Sequence, residues 1–259
     1  MRRELFSNPL LLIERIGEWA TDRRRLRRLK STPAQHLRSG HIDSLELLDL
    51  ISRECGPPNV IYDVGANVGT WAQLAHSQFP RAEIHAFEPL EKHLARLRKF
   101  ATETDRVHIH EVALGAKSGI HTLHVTNFSD ASSLLELGAK GAEVWGLSES
   151  EQINVPVERL DDRIAELALA YPGLIKLDVQ GFELEVLTGG TEALRRAHSV
   201  LIELSFEEIY EGQPASHEVL GFLAEAGFVL RAFGKGVRLG EPVFQIDALF
   251  MRRASRRDD

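Results

Sequence analysis

Residues 60–64 read Val60-Ile61-Tyr62-Asp63-Val64 and break at once into Gly65-Ala66-Asn67-Val68-Gly69. A short apolar run closed by two glycines predicts a buried parallel strand and a tight turn, followed here by a helix over Thr70–Phe79. The rhythm repeats. Glu83–Phe87 predicts a second strand, closed by Glu88-Pro89, and Leu90–Ala101 a helix with Leu94, Leu97 and Ala101 inward. Val107–Leu114 predicts a third strand and Ile120–Val125 another. Further strands are expected at Leu174–Val179, Ser199–Leu204, Phe228–Phe233 and Phe244–Met251, the last pairing antiparallel at the sheet edge. Helices are expected from Glu183 and over His217–Ala226. Alternation of this kind implies right-handed βαβ units on a mostly parallel sheet, an α/β Rossmann-like fold in one domain.

Two segments fall outside that rhythm. Residues 1–58 predict a helical N-terminal extension. Asn8 and Pro9 look like an N-cap and first turn, Leu12, Ile16 and Trp19 recur at helical spacing, and a second helix covers Ser44–Arg53. Residues 1–30 carry nine Lys/Arg against four Asp/Glu. The basic stretch over 23–30 reads first as a solvated helix face. A peripheral membrane contact through residues 9–30 is the sharper alternative. Asn127–Glu151 is rich in Ser, Gly and Glu and weakly periodic, which predicts a lid or binding loop over about 127–160. The tail, 252–259, is charged and expected to be disordered.

Composition narrows the function. Of 259 residues, Lys+Arg number 31 and Asp+Glu 38, net −7, so nucleic acid is not the expected ligand. The lone Cys55 makes neither an intramolecular disulfide nor a Cys-rich zinc site, and a reducing cytoplasmic setting is expected. No apolar run reaches membrane-spanning length, and none has the shape of a secretion signal.

The turn at 63–69, with an acidic residue ending the next strand, reads as a nucleoside site at the carboxyl edge of the sheet. Glycine allows close backbone approach, and Glu88 can accept from both ribose hydroxyls. The dinucleotide pattern fails, because Asn67 takes the second glycine position and no third glycine follows. An acidic strand end at Asp63 suits a cationic amine better than a pyrophosphate. S-adenosylmethionine (SAM) satisfies these demands: Asp63 and the turn for its amino-acid end, Glu88 for its ribose.

The chain resembles the FkbM-type SAM-dependent methyltransferases. The matching blocks are Tyr62–Thr70, Ala86-Phe87-Glu88-Pro89, Val112-Ala113-Leu114-Gly115, Ala131–Leu135 and Leu174–Leu187. The resemblance implies a class I methyltransferase fold over 59–251, with a seven-stranded sheet whose seventh strand is antiparallel. It implies methyl transfer to a hydroxyl of a sugar, glycolipid or secondary metabolite. It places Asp63, Gly65, Asn67 and Gly69 at the methionine end of SAM, Glu88 on the ribose and Ala113 near the adenine. Many relatives carry Glu where this chain has Gln180.

Deprotonating a hydroxyl acceptor calls for a base. Asp178, just past an apolar strand, and Glu203, inside Val200-Leu201-Ile202-Glu203-Leu204, are the candidates. If they converged, a divalent cation could be held, though none is expected. His108 and His110 share one strand face, and strand packing is the leading reading for them. His121 and His124 point to opposite faces, with His121 a reserve base. Ser132 and Ser133 are either turn residues or substrate contacts. Trp145 either stacks on a sugar or anchors its loop.

The main reading is a SAM-dependent O-methyltransferase acting on a small molecule or glycoside. A protein of this fold that binds but no longer catalyses is the alternative, and Gln180 favours it. An NAD-dependent oxidoreductase is less well supported, since no Tyr has Lys four residues on.

Overall fold

The structure, a computed structural model, describes residues 9–38, 41–238 and 242–253, with side chains from Gly17 onward except those of Glu18 and Arg238. The Asn8 cap, the side chains of Leu12 and Ile16, and the tail beyond 253 lie outside the described residues.

The main sheet contains β1 (Val60–Val64), β2 (Glu83–Phe87), β3 (Val107–His110), β7 (Leu174–Leu177), β8 (Ser199–Ser205), β9 (Phe228–Phe233), β10 (Val237–Arg238) and β11 (Val243–Arg252). Its order is β3-β2-β1-β7-β8-β11, with β9 and the short β10 both on β11. Strands β3 to β8 are mutually parallel, and β11 runs antiparallel to β8 and β9. This is the sheet that the resemblance implies, extended by β10. The antiparallel strand is therefore not at the edge: it fits between β8 and β9, with Asp247 opposite Glu203.

Each face has its own core. Tyr62, Val64, Ile175, Leu177 and Ile202 pack against α6 (Leu160–Leu167), α7 (Glu183–Gly189), α8 (Thr191–Arg196) and α9 (Ser216–Glu225). On the other face Ile61, Ile84, Leu174 and Leu201 meet α3 (Thr70–Gln78) and residues 29–51. The N-terminal zone is thus part of the sheet's second layer. In α2 (Leu45–Glu54), Leu45, Leu48 and Ile51 are fully buried, each contributing about 1.5–3 kcal/mol by leaving water.

The helix α1 (Pro9–Arg28) spends part of its charge on α2. Arg25 pairs with Asp22, Asp43 and Glu46, and Arg28 forks onto Asp49 at 2.6 and 2.7 Å. Trp19 stays exposed beneath the Arg23 guanidinium. No helix among the described residues is long and apolar enough to cross a membrane.

Two expectations are corrected. The run 107–114 splits: β3 joins the main sheet, whereas β4 (Ala113–Leu114) joins a second sheet, β4-β6-β5. The segment 127–160 is not irregular throughout. It holds α5 (Ala139–Trp145) and β6 (Glu149–Glu158), which pairs antiparallel with β5 (Gly119–Thr126) from Gly119/Val157 to Thr126/Glu149. The period-two alternation Ile153, Val155, Val157 is the strand signal, and Val155 and Val157 are buried. The 127–138 stretch contains a short 3₁₀ turn, Ser129–Ala131, and single bridges from Ser133 to His124 and from Leu137 to Tyr210, and it lines the cleft described next together with His93 of α4 (Glu91–Ala101).

Candidate functional site

The carboxyl ends of β1, β2 and β7 open onto a cleft of about 730 Å³. Gly65 and Asn67 form one wall, Glu88 and Leu90 another, and Ala113, Ser132, Ser133 and Asp178 complete it. The turn is built from strained positions. Gly65 and Gly69 have φ of 80° and 81°, and Asn67 has φ 52°. Asn67 tolerates the left-handed region because its Oδ1 accepts from the Val68 N–H at 2.6 Å, capping its own turn. The amides of Gly65 and Ala66 both donate to the Phe87 carbonyl, tying the turn to the end of β2.

Glu88 is buried and already engaged. Its Oε2 accepts from the Asn67 N–H at 2.8 Å, and its Oε1 accepts from the Leu90 N–H at 2.9 Å and lies 3.2 Å from His93 Nδ1. A carboxylate has about four acceptor sites, so capacity remains for a ligand hydroxyl. His93 was missed by sequence reasoning. It is buried on α4 with Nε2 unpartnered among the described residues, and it lines the cleft. Its signal was its place in the first turn of a helix that begins just after Glu88-Pro89.

Asp63 and Gly69 do not line the cleft. Gly69 turns the chain into α3 where a β-carbon would come within 2.7 Å of Leu97 Cδ1. Asp63 is fully buried behind the turn, and neither carboxylate oxygen has a hydrogen-bond partner among the described residues. Burial pushes its pKa up to about 6 against the pull of Lys176, whose Nζ lies 3.9 Å away. Asp63 thus reaches the residues around the clefts through its ion pair with Lys176. Lys176 is itself buried. Desolvation works against its charge, yet Asp178 at 2.9 Å and Asp63 outweigh it, and the ammonium is pushed above its ordinary value.

A second, larger cleft of about 1,480 Å³ abuts the first. Gly65, Asn67, Ser129, Asp130 and Asp178 belong to both walls. Trp71, Lys176, Glu203, Gln245 and Asp247 line it, and His41, Asp43 and Ser44 of the N-terminal zone close one side. Ser44 Oγ donates to Asp247 Oδ2 at 3.0 Å.

Asp178 and Glu203 are brought together by an amide. Gln180 Nε2 donates to Asp178 Oδ1 at 2.9 Å and Glu203 Oε2 at 3.2 Å, and Gln245 Nε2 donates to Glu203 Oε2 at 2.9 Å. Burial, then the nearby Asp178, Asp247 and Glu183 charges, holds the Glu203 carboxyl well above the usual range. Gln180 sits at φ 55°. Its loop is held by Ser133, whose Oγ donates to the Gln180 carbonyl at 2.6 Å, and by Glu183, which accepts from the amides of Val179 and Gly181. Tyr210, also missed, has its hydroxyl within 3.0 Å of Gln180 Oε1. Ser133 is thus tied into the loop, whereas Ser132 stays on the cleft wall. Trp145 lines neither cleft. It packs edge-on against Phe244 in an adjoining apolar groove with Phe128, Ile209 and Tyr210.

A match to the Methyltransferase FkbM domain covers residues 63–230. The 2-O-methyltransferase NoeI of Sinorhizobium fredii is 32% identical over 198 residues, 70% of this chain and 77% of that protein. The 31-O-demethyl-FK506 methyltransferase FkbM of Streptomyces tacrolimicus is 31% identical over 219 residues, 75% of this chain and 82% of that one. Among solved structures, magnesium protoporphyrin IX methyltransferase from Synechocystis PCC 6803 overlays 83% of this chain and 81% of its own, with a TM-score of 0.49 and 12% identity. The sheet order, the glycine turn facing Glu88 and the match over most of the chain agree: the chain belongs to the FkbM methyltransferase family and is a SAM-dependent methyltransferase.

Proposed function

We propose that the chain methylates a hydroxyl oxygen of a sugar or a hydroxylated small molecule, with SAM in the smaller cleft and the acceptor in the larger. The observation that carries this is the shared wall: the two clefts meet at Asp178, so donor and acceptor can face one another there. Relatives support the acceptor class, being named for 2-O-methylation, for methylation of 31-O-demethyl-FK506 and, in Haloferax volcanii, for methylation of a hexuronic acid.

The residues present fit SAM. A buried carboxylate with spare acceptor capacity at Glu88, a turn with room only for glycine at 65, and apolar Phe87, Val112, Ala113 and Phe182 suit a ribose, an amino-acid end and an adenine. When bound, SAM supplies a methyl carbon already activated by its sulfonium. The chain's own contribution is placement and proton management. Asp178 and Glu203 face the acceptor cleft, and either can take the hydroxyl proton as the oxygen bonds to carbon. Burial and the neighbouring negative charges raise the proton affinity of Glu203, which suits it to a base role, and base assistance of this kind is worth roughly 10²–10⁴-fold. Lys176 and the Gln180 amide hold Asp178 in place. The exposed Trp19 beneath Arg23, on a helix that also exposes Arg24 and Arg27, supports, as a secondary reading, a peripheral contact with an anionic membrane.

Calorimetric binding of S-adenosylhomocysteine to wild type and Glu88→Gln, with NAD as control, tests the cofactor. Binding that weakens about tenfold or more in the variant is expected, from loss of a hydrogen bond to a charged group. Methyl-labelled SAM with a panel of sugars and hydroxylated metabolites then tests the acceptor. A folded protein that ignores S-adenosylhomocysteine, or a label found only on nitrogen or carbon, would sink the proposal. Vesicle binding that does not fade with salt would sink the secondary reading.

A further inference from the structure

On the α6-facing side of the sheet, away from both clefts, β2 and β3 bring four polar side chains together. In the parallel register His85 lies beside His108, and Phe87 beside His110. Glu83, His85, His108 and His110 therefore share one face. The rings of His85 and His108 stack at 4.9 Å, and Tyr62 meets His85 edge-on at 5.1 Å. One ligand-type atom from each of Glu83, His85 and His108 lies within 4.8 Å of the other two.

We propose that Glu83, His85 and His108 form a binding site for a first-row transition-metal dication of the zinc class, cross-linking β2 to the edge strand β3. The proposal does not depend on the methyl-transfer reading. Two imidazoles and a carboxylate are a donor set that zinc, cobalt and nickel accept, with water at the remaining position. Donor atoms around tetrahedral zinc stand roughly 3.3 Å apart, so the cluster must tighten by about an ångström or more. Two of the three groups can move. His108 is exposed, and Glu83 is about half exposed and held only by a 3.5 Å contact to Arg106.

The third group is fixed and oriented. His85 is buried, and its Nδ1 lies 3.0 Å from His110 Nε2. With the His85 Nδ1–H donating to His110, the lone pair of His85 Nε2 is free for a metal, the arrangement in which a ligand imidazole is oriented by its other nitrogen. His110 then carries its proton on Nδ1, so metal binding gives up the long 3.5 Å contact in which the Arg163 guanidinium donates to that nitrogen. His110 is thus a positioning residue for His85, not a ligand.

The test uses the full chain, free of any histidine tag and stripped with a chelator. Zn²⁺ is titrated calorimetrically, and Co²⁺ by its visible absorption. Wild type is expected to bind one ion with micromolar or tighter affinity and to gain thermal stability on binding. His108→Ala should weaken binding at least tenfold and abolish the stability gain, and Glu83→Gln should weaken it less. Both positions are surface-accessible, so these variants should fold. His121→Ala, an exposed histidine elsewhere, should behave as wild type. Absence of a stoichiometric site, or binding that survives His108→Ala unchanged, overturns the proposal.

Discussion

The carbonyl oxygen of Asp178 occupies the space that a β-carbon on Gly65 would need: the two would stand 1.9 Å apart. Gly65 also has φ 80°. The turn that faces the cofactor cleft and the residue that joins the two clefts are therefore packed backbone to backbone. Gly65→Ala must break that contact and adopt a conformation only glycine takes easily. A loss of about 3 kcal/mol or more in denaturant unfolding is expected, with S-adenosylhomocysteine binding abolished. A stable Gly65→Ala variant with wild-type binding would refute this account of the turn.

Among the described residues, Lys176 is the single cation paired with both Asp63 and Asp178. Removing it leaves a fully buried carboxylate uncompensated. Lys176→Met should cost about 3–5 kcal/mol at neutral pH, the range for breaking a buried pair from one side. Most of that loss should return in the Asp63→Asn/Lys176→Met double variant, since the remaining Asp178 is partly exposed to water. Unfolding of the two single variants and the double gives the coupling energy, and strictly additive effects would contradict the pairing.

Gln180 holds Asp178 and Glu203 with one neutral amide. Gln180→Glu replaces a shared donor by a third negative charge. The variant should be less stable than wild type by about 1–3 kcal/mol at pH 8, as for a buried group stripped of its partner, and the gap should close toward pH 5 as a proton is taken up. Thermal melts of both proteins across that range read the effect. A gap that does not vary with pH would mean that the three groups do not share a charge.

Glu183 carries a pH dependence of its own. Burial raises its pKa from 4.5 to about 7, against backbone amide hydrogen bonds at Glu183, Gly181 and Val179 that lower it. The folded protein then binds more protons than the unfolded chain between about pH 4.5 and 7, so this group's stability contribution falls as pH rises through that window. Glu183→Gln can still accept from the amides of Val179 and Gly181 but does not titrate. It should flatten that fall and gain at most about 3 kcal/mol at pH 8, the full value of the shift. Chemical denaturation of both proteins at pH 4.5, 6 and 8 provides the measurement.

The sequence by itself determined the strands around the glycine turn, the acidic strand end at Glu88 and the family. Each is a local pattern: an apolar run, a position that tolerates only glycine or asparagine, a residue just past a strand. It also named Asp178 and Glu203, because a carboxylate at the end of a buried strand has few neutral explanations. It misjudged residues 149–158, whose alternation reads as a strand once a partner is in view, and β11, whose place between β8 and β9 depends on pairing across some forty residues. Only the tertiary structure decided which side chains meet. It set Asp63 behind the turn against Lys176, gave Gln180 its two carboxylates, and brought Ser44 from the N-terminal zone to Asp247. It also set Glu83 and His85 beside His108, a neighbourhood that β3 alone does not show. The reason is physical: hydrophobic period and turn chemistry act over a few residues, whereas a charge or a donor atom is defined by whatever lies within about 4 Å of it, and for a buried side chain those neighbours come from distant parts of the chain.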